Sequence, residues 1–173
     1  MAAQQARTAA ETEARGFGEG EHLLIGAWRR IAAGQAKWLA LAQAFDDVGA
    51  KDGAEVFLTF CTFLKALGFA GRRPLIVGTP GSPSITADEC QVFTLIAAAQ
   101  AGAPALFAAH LRWLTHPGQR HVLEIATGSL ATALTVNTLR LALPAPDPSR
   151  RCERPPAGCE RAATAHARAV AED

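Results

Sequence analysis

Residues 86–101 read TADECQVFTLIAAAQA, and how this stretch is read decides the fold. Thr86 with Glu89 three residues on forms a capping box, each side chain satisfying a backbone donor that the first helical turn leaves open, and Ile85 is placed to staple onto Cys90 across the cap. Beyond the cap, Val92, Phe93, Leu95, Ile96, Ala97, Ala98 and Ala99 leave only Gln91, Thr94 and Gln100 as polar members. Apolar surface therefore wraps nearly the whole circumference, and such a helix must be covered by other elements or by lipid. The remainder of the chain is read as its cover.

Working back toward the N-terminus, Gly71–Ser84 (GRRPLIVGTPGSPS) is an irregular loop. Pro74, Pro80 and Pro83 block helix there, Gly78 and Gly81 permit turns, and Leu75, Ile76 and Val77 form a short extended segment. Asp52 followed by Glu55 starts the preceding helix, whose stripe of Val56, Phe57, Phe60, Phe63, Leu64 and Leu67 closes at Gly68. Period-two alternation fails at Val56-Phe57 and Phe63-Leu64, so this run reads as helix and not strand. Between Glu21 and Phe45 the residues Leu24, Trp28, Ile31, Trp38, Ala42 and Phe45 step by threes and fours with Gln35 as the one polar member, while Arg29, Arg30 and Lys37 lie elsewhere. One amphipathic helix with two Trp in its seam is expected, stopped by Asp46, Asp47 and Gly49.

Working forward, Gly102 ends the central helix and Pro104 opens the next, which runs to Thr115 with Phe107, His110, Leu111 and Leu114 on one face. His116, Pro117 and Gly118 break it. A last helix from Gln119 to Leu143 is expected to turn Val122, Ile125, Ala126, Leu130, Ala133, Leu134, Asn137 and Leu141 inward, until Pro144, Pro146 and Pro148 stop it. The expectation is an all-α, single-domain bundle of about five helices over residues 21–143. Residues 1–20 are expected to be a flexible lead-in, and residues 144–173 a Pro-rich, disordered tail.

Composition fits one domain: 173 residues, 49% of them hydrophobic, with 17 basic and 16 acidic side chains giving a net charge of +1. No overall field favours nucleic acid or an anionic membrane. The N-terminus lacks an apolar signal-peptide core, and the absence of Tyr and the excess of Arg over Lys suggest a GC-rich bacterial genome; a bacterial cytoplasm is the expected compartment. Val92–Leu114 is long enough to span a bilayer, but Gln100, Gly102, Pro104, His110 and Arg112 interrupt it, so no membrane partner is expected. The helix pair joined at Gly102 could resemble a helix-turn-helix, yet its second helix offers only His110 and Arg112 as basic groups, and no nucleic-acid partner is expected.

Two groups of residues stand out as sites. Arg72, Arg73, Gly78, Thr79, Gly81 and Ser82 lie on the loop that feeds the capped helix, where Gly-rich turns and helix N-H groups can bind an anion; Asp88 and Glu89 oppose this, and the Walker spacing is missing. Arg112, His116, Arg120 and His121 cluster around the last tight turn, while Asp46, Asp47 and Asp52 cluster around another, a pattern suited to steering association. His110, His116 and His121 have no metal-ligand spacing, Cys152 and Cys159 are six residues apart where zinc knuckles have two to four, and Cys61 and Cys90 read as buried inert thiols. No cofactor or metal is therefore expected. The favoured function is a non-enzymatic protein-interaction or regulatory module with a protein partner or self-association. The alternative is a small-ligand or anion-binding protein, an enzyme included, using the Gly/Pro-rich loop before the central helix.

Overall fold

The computed structural model describes residues 18–48 and 51–143. The expectations for residues 1–17 and 144–173, Cys152 and Cys159 included, lie outside the described residues. Among the described residues there are six α-helices: α1 (Glu19–Ala32), α2 (Trp38–Asp47), α3 (Gly53–Ala70), α4 (Ala87–Gln100), α5 (Pro104–Leu114) and α6 (Arg120–Val136), with a 3-10 turn at Pro117–Gln119. The chain is an all-α, single-domain bundle, one helix richer than expected.

The central helix is α4. Thr86 Oγ1 accepts from the Glu89 N-H at 3.1 Å and the Glu89 carboxylate accepts from the Thr86 N-H at 2.8 Å, which is the capping box read from the sequence. Seven consecutive residues, Val92–Ala98, are buried. Since a turn is 3.6 residues, this run has no exposed side. The cover comes from α5 and α6 directly and from α1 through Trp28, whose ring meets Phe93 edge-on at 6.2 Å. A second layer joins α2 and α3 through Phe45, Phe57 and Phe60, with centroids 5.3 and 6.1 Å from Phe45. Thr86 Oγ1 also donates to the Ile76 carbonyl at 2.7 Å. Thr86→Ala is accordingly expected to cost about 1–2 kcal/mol in urea denaturation, the upper part of the range for a lost cap; no measurable loss would mean the box contributes nothing.

Three helices end in one motif that the sequence disclosed unevenly. At the ends of α1, α4 and α6 the N-H of a left-handed residue bonds three residues back and the next N-H bonds five back: Gly34 and Gln35, Gly102 and Ala103, Thr138 and Leu139. The φ angles are 67°, 63° and 63°. This reversal satisfies the last carbonyls and is where glycine is favoured. At Gly34 it breaks the single helix expected over Glu21–Phe45 into α1 and α2. Trp38, expected in the seam, is 57% exposed instead, its ring resting beside Phe57 at 6.1 Å. At Thr138 it ends the last helix seven residues before Leu143. The following segment is irregular, with Leu139 and Leu141 buried and Arg140 exposed. The inward face of α6 also differs: Leu123 and Thr127 are buried, Ile125 is 67% exposed and Val122 is half-buried. The stop expected for α3 at Gly68 falls at Ala70, with Gly71 as cap.

Buried and half-buried polar side chains tie these ends together. Gln100 donates to the Leu139 carbonyl and accepts from the Leu141 N-H, both at 2.9 Å. Glu21, 1% exposed, accepts from the Ala142 N-H and, through its other oxygen, from the Gly18 N-H. Asn137 accepts from the Asp52 N-H at 2.9 Å, joining the end of α6 to the start of α3. By length and composition α3 is apolar enough to cross a bilayer, though its Val56, Phe60, Phe63 and Ala70 are buried in the bundle.

Candidate functional site

The loop between α3 and α4 is held by two carboxylates from the first turn of α4. Glu89, fully buried, accepts from Arg29 Nε at 2.7 Å, Arg29 Nη2 at 2.8 Å, the Gly78 N-H at 3.0 Å and the Thr86 N-H at 2.8 Å. Arg29 reaches across from α1, 3% exposed, and its Nη1 and Nη2 also donate to the Ser82 and Ser84 carbonyls at 2.6 and 2.7 Å. A Cβ on residue 78 would stand 2.8 Å from the Arg29 guanidinium, so Gly78 is what lets the loop close over that side chain. Asp88 repeats the arrangement nearer the surface, accepting from Arg73 at 2.6 and 2.8 Å and from the Ile76 N-H at 2.7 Å.

These contacts set the charge states. The Arg73 guanidinium holds the Asp88 carboxyl below its ordinary value, helped by the Ile76 N-H and against the opposing effect of burial. Burial alone pushes the Glu89 carboxyl up, but the hydrogen bonds from Arg29, Thr86 and Gly78 outweigh it and the net displacement is downward. Both groups are carboxylates at neutral pH. Two of the donors that a bound anion would use in this loop, the Arg73 guanidinium and the Gly78 N-H, are thereby spent on the chain's own acids. Gly78 and Arg73 are engaged with Glu89 and Asp88, and Ser82 presents its carbonyl to Arg29. Gly81 stands in a left-handed turn at φ 81°, and Thr79 is exposed beside it.

Arg72 is held differently from Arg73. Its Nε donates to the Thr115 carbonyl at 2.6 Å and its N-H to the Leu114 carbonyl at 3.0 Å, and it has no carboxylate partner among the described residues. Together with the Gly71–Thr115 bridge and the bond from the His116 N-H to the Ala70 carbonyl at 3.0 Å, these contacts seat the start of the loop on the α5–α6 turn. The Arg73 guanidinium lies 5.0 Å from the centroid of the Trp113 ring, which is 47% exposed. The two groups of candidate residues, 43 positions apart at Arg72 and Thr115, thus share one corner of the bundle. Arg112, His116 and His121 are exposed there, and Arg120 is half-buried with its Nε unpartnered.

His110 is half-buried on α5, its Nδ1 is buried without a hydrogen-bond partner among the described residues, and burial lowers its pKa. Cys61 and Cys90 are half-buried, not fully enclosed as expected, and burial pushes the Cys61 thiol up, away from a reactive thiolate. Among the described residues no three His, Cys, Asp or Glu side chains gather to hold a metal ion. Sequence reasoning missed Arg29 and Glu21, since a basic residue on an amphipathic helix and an acid in a first turn both read as solvent-facing. No protein-family model, curated protein or solved structure matches the chain, so its function rests on the geometry of this corner.

Proposed function

We propose that the chain is a non-enzymatic interaction module of a bacterial cytoplasm that presents a basic, Trp-bearing corner to an acidic protein surface, either on a partner or on another copy. The observation that carries this reading is the Gly71–Thr115 bridge, which places Arg72 beside the turn bearing Arg112, His116, Arg120 and His121. Arg73, at the same corner, is paired with Asp88, and among the described residues no ion pair joins Arg72, Arg112 or Arg120 to a carboxylate. An aromatic ring flanked by arginines combines apolar contact area with donors for carboxylates, the chemistry enriched in protein interfaces. The acidic group Asp46, Asp47 and Asp52, all exposed, would supply the complementary surface in self-association.

Reversing Arg112 and Arg120 to Glu tests it. At low salt the double variant is expected to lose at least about tenfold in partner recovery or self-association, equivalent to ~1.4 kcal/mol. The parent should lose its own association as salt shortens the Debye length from about 30 Å at 0.01 M to about 8 Å at 0.15 M. Sedimentation and pull-down at both salt concentrations read this. Identical behaviour of variant and parent would remove the corner from consideration. The small-ligand reading is favoured by a different observation, a cavity beneath the same loop.

A further inference from the structure

The cavity lies between the start of the loop and helices α1 and α3, with a volume of about 450 Å³. Its apolar lining is Trp28, Leu64, Leu67, Leu75 and Val77, and its charged lining is Arg72 and Arg73. The size falls within the range of about 300–1,000 Å³ usual for small-molecule sites, and the lining, open to solvent, is divided between polar and apolar surface. The two arginines are not equivalent. Arg73 is spent on Asp88, whereas Arg72, its Nε held by the Thr115 carbonyl, lines the cavity with no carboxylate partner among the described residues.

We propose that this cavity binds an amphipathic monocarboxylate, its apolar body against Trp28 and the leucines and its carboxylate on Arg72. A neutral hydrophobe would fill the floor but gain nothing from Arg72. A dianion would bring a second charge to a place where the only other cation already has its partner. One carboxylate on an apolar body matches both halves of the lining, and the planar guanidinium is suited to receiving it through paired hydrogen bonds. The inference does not rest on the interaction reading, because Arg112 and Arg120 do not line the cavity, and so each fails separately.

Gly68 supplies a clean test. It lines the cavity from within α3, and a Cβ built on it meets nothing within 4 Å. Gly68→Leu therefore adds an apolar side chain at the cavity wall without a clash at Cβ while replacing a residue that weakens helices, and it is expected to melt no lower than the parent. Calorimetric titration of the full chain with octanoate and with octan-1-ol reads the site. The parent should bind octanoate saturably at one site and octan-1-ol at least tenfold more weakly. Arg72→Gln should weaken octanoate at least tenfold and bring it level with the alcohol, and Gly68→Leu should abolish binding of both. Absence of saturable octanoate binding to the parent overturns the proposal. So does equal affinity for acid and alcohol, or octanoate affinity unchanged in either variant.

Discussion

Ile96→Asp is expected to abolish cooperative unfolding. Ile96 is 0% exposed in the middle of the buried run Val92–Ala98 of α4, with side chains from other elements on every side. The substitution removes a branched apolar side chain, a loss of about 2–5 kcal/mol when truncated to Ala. It also places a carboxylate where no cation waits, at several kcal/mol more even if the group takes up a proton. The total approaches or exceeds the 5–15 kcal/mol of net stability typical for a domain. Circular dichroism through a thermal ramp should show a broad, low-amplitude change in place of a sigmoid, while Ile96→Val, which keeps shape and polarity, should retain the sigmoid at a cost of about 0.5–1.5 kcal/mol. A sharp transition in Ile96→Asp within a few degrees of the parent would displace α4 from the centre of the fold.

What could be read in advance was what depends on near neighbours. The Thr86–Glu89 box spans three residues, and the Asp52 cap on Glu55 another three, so both were visible as spacing. The break at Gly34 was also local, yet the threes and fours of Leu24, Trp28, Ile31 and Trp38 continued across it and outvoted one glycine. At Thr138 there was no such signal, because a β-branched residue rarely takes a left-handed φ; the turn is imposed by Asn137 bonding Ala133 and Asp52 and by the burial of Leu139 and Leu141. The candidate site divides in the same way. Both clusters of basic residues were found, but their union at one corner was not, since the contacts that join them pair residues 43 positions apart. Asp88 and Glu89 were recognised as obstacles to an anion. Their cations were not recognised as Arg73 and Arg29, because Arg29 is 60 residues distant and carries no mark distinguishing it from Arg30, which is exposed.

Arg29→Met is therefore the second large effect expected, and it has a pH signature. The substitution keeps the unbranched stem but leaves Glu89 fully buried with only the Thr86 and Gly78 N-H groups as partners. It also strips the Ser82 and Ser84 carbonyls of their donor. Breaking a buried pair from one side costs about 3–5 kcal/mol, far more than the pair contributes relative to an apolar replacement. Arg29→Met with Glu89→Gln should accordingly be less destabilised than Arg29→Met alone, by about 1–3 kcal/mol, as expected for groups in direct contact. The sign with pH follows from Glu89. In the parent its folded pKa is displaced downward, so the pair contributes stability above the unfolded carboxyl value, and that contribution is lost as pH falls through the folded one. With Arg29 removed, burial dominates and displaces the folded pKa upward, so protonation on acidification relieves the variant. The gap in unfolding free energy between parent and Arg29→Met should be widest near pH 7 and narrow steadily toward pH 4, measured by urea denaturation at each pH. A gap independent of pH would mean that Arg29 acts through its stem and the two serine carbonyls, and that the charge on Glu89 has no part in closing the loop over α4.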